Sequence, residues 1–195
     1  VWNDDNRGAQ QASGGGVSGA FPMPWWQSGR GVPSHGQLNG PAWIGDHVGT
    51  ADAQDAFVGR GVPDVAAYAN QIPGYALRVG GVDIGSGGTS ASTPMWAGLV
   101  ARLTEALGVG VPWLPEIVYH PAFAGAFRPI VDGDNAIEGF DIASFSARSA
   151  RVGGWSPCAG LGVPDGEALL RALRMAGGWG AGAAFDAGAG RRPRA

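Results

Sequence analysis

Glycine or proline fills 50 of the 195 positions, 36 and 14 respectively, and this punctuation decides which segments can carry regular structure. Glycine costs a helix or strand conformational entropy, and proline removes a backbone donor. The clearest element that survives begins near Ser90. Met95, Trp96, Leu99, Val100, Leu103 and Leu107 recur at helical spacing, and Ala97, Gly98 and Ala101 leave small positions where another layer can approach closely. Pro94 belongs in the first turn, because deeper in a helix its ring meets the carbonyl four residues back. The spacing therefore predicts a helix from close to Ser90 to about Gly108. Such a Gly and Pro content also occurs in low-complexity chains. Eight Trp and 45% hydrophobic residues argue for a packed, loop-rich domain instead, since that much apolar surface offsets the entropy of ordering.

Other elements follow from the same signals. Tyr75, Leu77 and Val79 alternate, Gly80-Gly81 interrupts, and Val82 and Ile84 alternate again, which predicts a two-residue hairpin. Gly61 to Tyr68 reads as a buried strand end or tight turn. Pro115 opens a short helix through Tyr119 that Pro121 stops, and Asp165 caps a last helix over 167–176. Residues 34–57 read as a polar surface excursion, and 177–195 as a Gly/Ala/Arg tail without a core of its own. The pair Trp25-Trp26 reads as packing rather than ligand stacking.

The formal charge of −3, with all 13 basic residues Arg, gives neither a nucleic-acid footprint nor a polybasic membrane patch. No apolar run approaches the length of a membrane span. Cys158 is the only cysteine, which excludes an internal disulfide and a cysteine-based metal cluster. Val1-Trp2-Asn3-Asp4-Asp5 has neither an initiator residue nor a leader pattern, so the chain reads as cut at its front.

Gly87-Gly88-Thr89-Ser90-Ala91-Ser92-Thr93-Pro94 sets a hydroxyl at the mouth of the long helix, directly after the hairpin. Free N–H groups and the positive end of the helix dipole favour an anion beside Ser90. Two readings fit the spacing. A helix-capping serine is the simpler one, and a nucleophile whose own N–H serves as oxyanion donor is the other.

The wider pattern adds to the second. Gly14-Gly15-Gly16-Val17-Ser18 with Phe21-Pro22-Met23-Pro24-Trp25-Trp26-Gln27, then Gly59 to Ala66, Gly74-Tyr75 and Gly87 to Ala91, resembles the ordered landmarks of the sedolisins, the serine-carboxyl peptidases. Gly154 to Gly166 resembles their C-terminal signature. The resemblance runs over residues 1 to about 175 and is weakest over 35–57. It implies an α/β, subtilisin-like fold, with a parallel sheet flanked by helices, of which residues 1–176 form the C-terminal portion. It further implies an acid-acting, secreted endopeptidase with polypeptide substrates and Ser90 as nucleophile. The family's catalytic Glu and two Asp fall N-terminal to this region, so an N-terminal half of the domain becomes an expected partner. Glu105, fifteen residues along the helix and so roughly 22 Å away, cannot replace them. Asp64 matches a family Asp outside the triad and is expected to bond internally. His35, His47 and His120 match no catalytic position, which leaves a subtilase Ser/His/Asp arrangement as an alternative with little in its favour.

The resemblance also implies a calcium site, and here the sequence departs from the family. Pro129 and Ser156 stand where two carboxylate ligands are expected, so only the backbone carbonyls of Ile130, Val152 and Gly154 remain. Calcium takes six to eight hard, mostly anionic oxygens. The expectation is an ion-free subdomain without any cofactor, with Arg128, Arg148 or Arg151 supplying charge in place of the ion, or else a rescue by Asp132 and Asp134. Three functions remain in order: the peptidase, an inactive relative that keeps the fold, and a Trp-based carbohydrate binder.

Overall fold

The computed structural model describes residues 1–4, 10–33, 58–139, 145–147 and 153–176. Six short strands and three helices carry the chain: β1 (Gly16–Pro22), β2 (Gly59–Val62), β3 (Tyr75–Val79), β4 (Val82–Ser86), α1 (Thr89–Leu107), α2 (Leu114–Tyr119), β5 (Phe127–Arg128), β6 (Val163–Pro164) and α3 (Gly166–Met175). 3-10 helix makes one turn at Trp25–Gln27 and two at Pro121–Ala126.

The strands pair as β1 with β2, β3 with β4 and β5 with β6, each antiparallel. No parallel pair forms among the described residues. For β3 and β4 the reason is local: two residues join them, Gly80 and Gly81 at φ +57° and +83°, and so short a link cannot return the chain in parallel. Positive φ at both positions is the turn whose twist matches the flanking strands. Leu77 lies opposite Ile84, and Val79 opposite Val82, as the alternation predicts.

α1 runs from Thr89 to Leu107 and ends on Gly108 at φ +70°, a left-handed cap that suits glycine. Pro94 is not in the first turn. The helix begins at Thr89, and the N–H groups of Ala91 and Ser92 share the Gly88 carbonyl at 3.0 and 3.4 Å, which closes the first turn before Pro94 is reached. α3 starts as predicted, with the Asp165 carboxylate accepting from Ala168 N–H at 2.9 Å. α2 passes directly into the 3-10 turn at Pro121.

The core gathers beneath α1 and α3. Leu103, Ile117, Tyr119, Phe123, Leu169 and Leu173 are buried together, with Phe127 and Trp155 closing the cluster. Full burial of an aliphatic side chain is worth about 1.5–3 kcal/mol, so this cluster positions α1. Leu103 is the one buried residue of α1. Its other faces, including Pro94, Met95, Ala97, Gly98 and Ala101, are exposed, as are Leu77, Val79, Val82 and Ile84 on the hairpin.

Candidate active site

The turn Ser86–Gly88 delivers the chain from β4 into α1. A Cβ on Gly87 would meet the Asn70 carbonyl oxygen at 2.3 Å, so only glycine lets this turn lie against residues 70–71. Gly88 adopts φ +92°, a conformation that side chains disfavour. Ser90 then becomes the second residue of α1. It is exposed, and among the described residues neither its hydroxyl nor its N–H is hydrogen-bonded. A helix leaves its first N–H groups without internal partners, so an oxyanion beside Ser90 meets a free donor and the positive end of a nineteen-residue helix. The hydroxyl does not cap the helix. No side chain caps α1 at its N-cap, Gly88.

The carboxylates and histidines of this chain do other things. Glu105 lies near the far end of α1, 3.5 Å from Arg102. Asp64 pairs with Arg60 and accepts from Gln27 Nε2 at 3.2 Å, the internal role expected of it. His120 accepts from Ala122 N–H at 3.2 Å and so begins the 3-10 turn. His35 and His47 lie outside the described residues.

Gln27 is the residue whose importance sequence reasoning missed. It is fully buried, donates to the Gly61 carbonyl and to the Tyr119 hydroxyl at 2.8 Å each, and accepts from Gly61 N–H at 2.9 Å. Burial, then the Asp64 charge, pushes the Tyr119 phenol well above its ordinary value, which keeps its proton in place for a hydrogen bond to Asp64. Of the neighbouring tryptophans, Trp26 packs on the core as expected, whereas Trp25 is 58% exposed and meets it edge to face. Strand spacing gave no signal for Gln27; a glutamine closing a Pro- and Trp-rich turn was the available one.

The expected metal ligands are placed as follows. Ser156 is 2% exposed, and its hydroxyl oxygen accepts from Cys158 N–H at 3.3 Å. Asp132 accepts from Gly133 N–H, and Asp134 from Ala136 N–H, at 2.9 and 3.1 Å. Pro129 brings no side-chain oxygen. Val152, Arg148 and Arg151 lie outside the described residues, and Arg128 is exposed at the end of β5. Among the described residues no three His, Cys, Asp or Glu side chains gather as a metal cage. Pro129 and the neutral Ser156 hydroxyl thus bring no anionic oxygen, which calcium favours.

Comparison with solved structures places the fold in a class. Over 83% of this chain and 36% of its counterpart, it resembles Pseudomonas sedolisin, a serine-carboxyl proteinase complexed with two molecules of pseudo-iodotyrostatin, with a TM-score of 0.56 and 23% identity. This is the subtilisin-like α/β fold. Among curated relatives, kumamolisin of Bacillus sp. (strain MN-32) is 40% identical over 174 residues, 89% of this chain and 27% of that protein. Aorsin of Aspergillus oryzae is 34% identical over 82% of this chain and 24% of its own length. Tripeptidyl-peptidase SED2 of Arthroderma otae is 33% identical over 83% and 27%. Over more than four fifths of its length the chain is homologous to kumamolisin and a tripeptidyl-peptidase, which supports its resemblance to the sedolisins. It spans about a quarter of the length of these relatives. A scan against protein-family models found no match.

Proposed function

We propose that this chain is the nucleophile-bearing part of an acid-acting, secreted serine endopeptidase, completed by carboxylates from polypeptide N-terminal to the matched region. One observation carries the reading: Ser90 is exposed at the start of α1 with its hydroxyl and N–H both free of partners among the described residues. Ser90 Oγ attacks the peptide carbonyl carbon and passes its proton to a carboxylate. The resulting oxyanion faces the Ser90 N–H, the amine leaves with a proton, and water releases the acyl group. Without its general base the hydroxyl is a poor nucleophile, so residues 1–195 alone cleave nothing. The test is protein cleavage at acid pH by the full-length gene product and its Ser90→Ala variant. Loss of cleavage in the variant supports the reading, and equal cleavage by both overturns it.

The subdomain around Pro129 and Ser156 is proposed to be independent of calcium. Its support is that Pro129 offers no side-chain oxygen and that Ser156 offers a buried, neutral hydroxyl already accepting from Cys158 N–H. Melting with calcium and with chelator is expected to give one temperature. A clear rise with calcium contradicts this. The same replacements favour a second reading, an inactive relative that keeps the fold, and the cleavage assay separates the two.

A further inference from the structure

Three donors, one at the N-cap of α1 and two on the helix, reach one neighbouring segment. Gly88 N–H donates to the Ala69 carbonyl at 2.6 Å, Ser92 Oγ to the Tyr68 carbonyl at 2.8 Å, and Trp96 Nε1 to the Ala66 carbonyl at 3.1 Å. Positions 88, 92 and 96 are four apart, which places them in one line along the helix, while their acceptors run the opposite way from 69 to 66.

The accepting segment is itself held. Ala66 N–H donates to the Gly162 carbonyl and Leu161 N–H to the Asp64 carbonyl, both at 2.9 Å, and Trp155 Nε1 donates to the Pro63 carbonyl at 2.8 Å. The Tyr75 hydroxyl also donates to the Tyr68 carbonyl, at 2.6 Å, and burial raises its pKa, so that proton stays. The Trp96 ring stacks on Phe127, with centroids 6.4 Å apart and planes 18° off parallel.

This geometry bears on Ser90. A single bond at Gly88 would let α1 rotate and slide, whereas three in line fix both motions. With 3.6 residues per turn, two residues make about 200°, so Ser90 points about 160° away from Gly88 and Ser92. The line of donors grips one side of the helix, and the serine leaves from the other.

We propose that Ser92 and Trp96 are positioning residues for Ser90, their side chains hanging the first two turns of α1 from the Tyr68 and Ala66 carbonyls so that the Ser90 hydroxyl and N–H point in one direction. The proposal rests on the reading of Ser90 as nucleophile. Small displacements of a reacting group are costly to rate, while peptide binding made elsewhere is unaffected.

The experiment uses the full-length product with Ser92→Ala, Ser92→Thr and Trp96→Phe. Trp96→Phe keeps an aromatic ring against Phe127 and removes the indole donor. Ser92→Ala and Trp96→Phe are each expected to lower kcat about tenfold with KM nearly unchanged, and Ser92→Thr, which keeps the hydroxyl, to restore it. Hydrogen exchange of the bonded first-turn amides of residues 91–93 is expected to quicken in Ser92→Ala and Trp96→Phe. Unchanged exchange overturns the proposal whether or not the protein cleaves, and unchanged kcat in an active protein overturns it as well. If the unsubstituted product cleaves nothing while exchange quickens as expected, the peptidase reading fails and the clamp on α1 stands.

Discussion

Gln27, Tyr119 and Asp64 show what single residues do in this fold. They stand 37 and 92 residues apart from Gln27 in sequence, yet one side chain ties β2, α2 and the Asp64 turn together. Tyr119→Phe leaves Gln27 and Asp64 short of a buried partner, and is expected to cost about 1–3 kcal/mol in chemical denaturation. The phenol also sets a pH dependence. Its pKa is raised on folding from an ordinary value of 10.0, so the folded state holds the proton more tightly than the unfolded one. Its contribution is complete below pH 10 and is lost as pH rises from there toward the folded value. Denaturation midpoints at neutral and strongly alkaline pH measure this, and Tyr119→Phe is expected to flatten the decline. Gly61 is equally exacting, because a Cβ there would meet the Trp155 ring at 2.8 Å. Gly61→Ala is expected to cost about 1–3 kcal/mol by overpacking, read as a lower melting temperature.

At the scale of elements, the sequence was most legible where one local rule decides. The Gly80-Gly81 turn, the Asp165 cap and the Gly108 end of α1 all stand where the residues required them. Pro94 was misplaced because the steric rule says where proline is unwelcome, not where the helix begins, and Gly88 moved the beginning to Thr89. Ser90 was legible as a hydroxyl at a helix mouth, and its role as cap or nucleophile was open, since both need the same spacing. That its hydroxyl is left unengaged is a tertiary fact. Gln27 and the donor line along α1 depend on which carbonyls pass nearby, which no periodicity encodes. Gly87→Ala tests how tightly the turn before Ser90 is held. Its Cβ would strike the Asn70 backbone, so the turn must move, and the full-length product is expected to lose most of its cleavage rate while the core stays intact by tryptophan fluorescence.

At the scale of the whole molecule, apolar surface stands open on α1 and on the hairpin. The middle of α1, from Met95 to Ala101, is apolar all round, a pattern that belongs inside a protein, yet Met95, Ala97, Gly98 and Ala101 and the hairpin's Leu77, Val79, Val82 and Ile84 are exposed. The relatives are about four times as long as the matched region, and the cover proposed for that surface is an N-terminal half of the domain. The isolated 195 residues are accordingly expected to bind a hydrophobic dye and to associate with rising concentration in sedimentation, whereas the full-length product is expected to do neither. The most direct measurement is mass mapping of the full-length product quenched while it turns over a protein substrate at acid pH. An acyl group on the peptide that contains Ser90, absent from Ser90→Ala, is the predicted result. Cleavage that proceeds unchanged in Ser90→Ala, with no acylated Ser90 peptide, would contradict it.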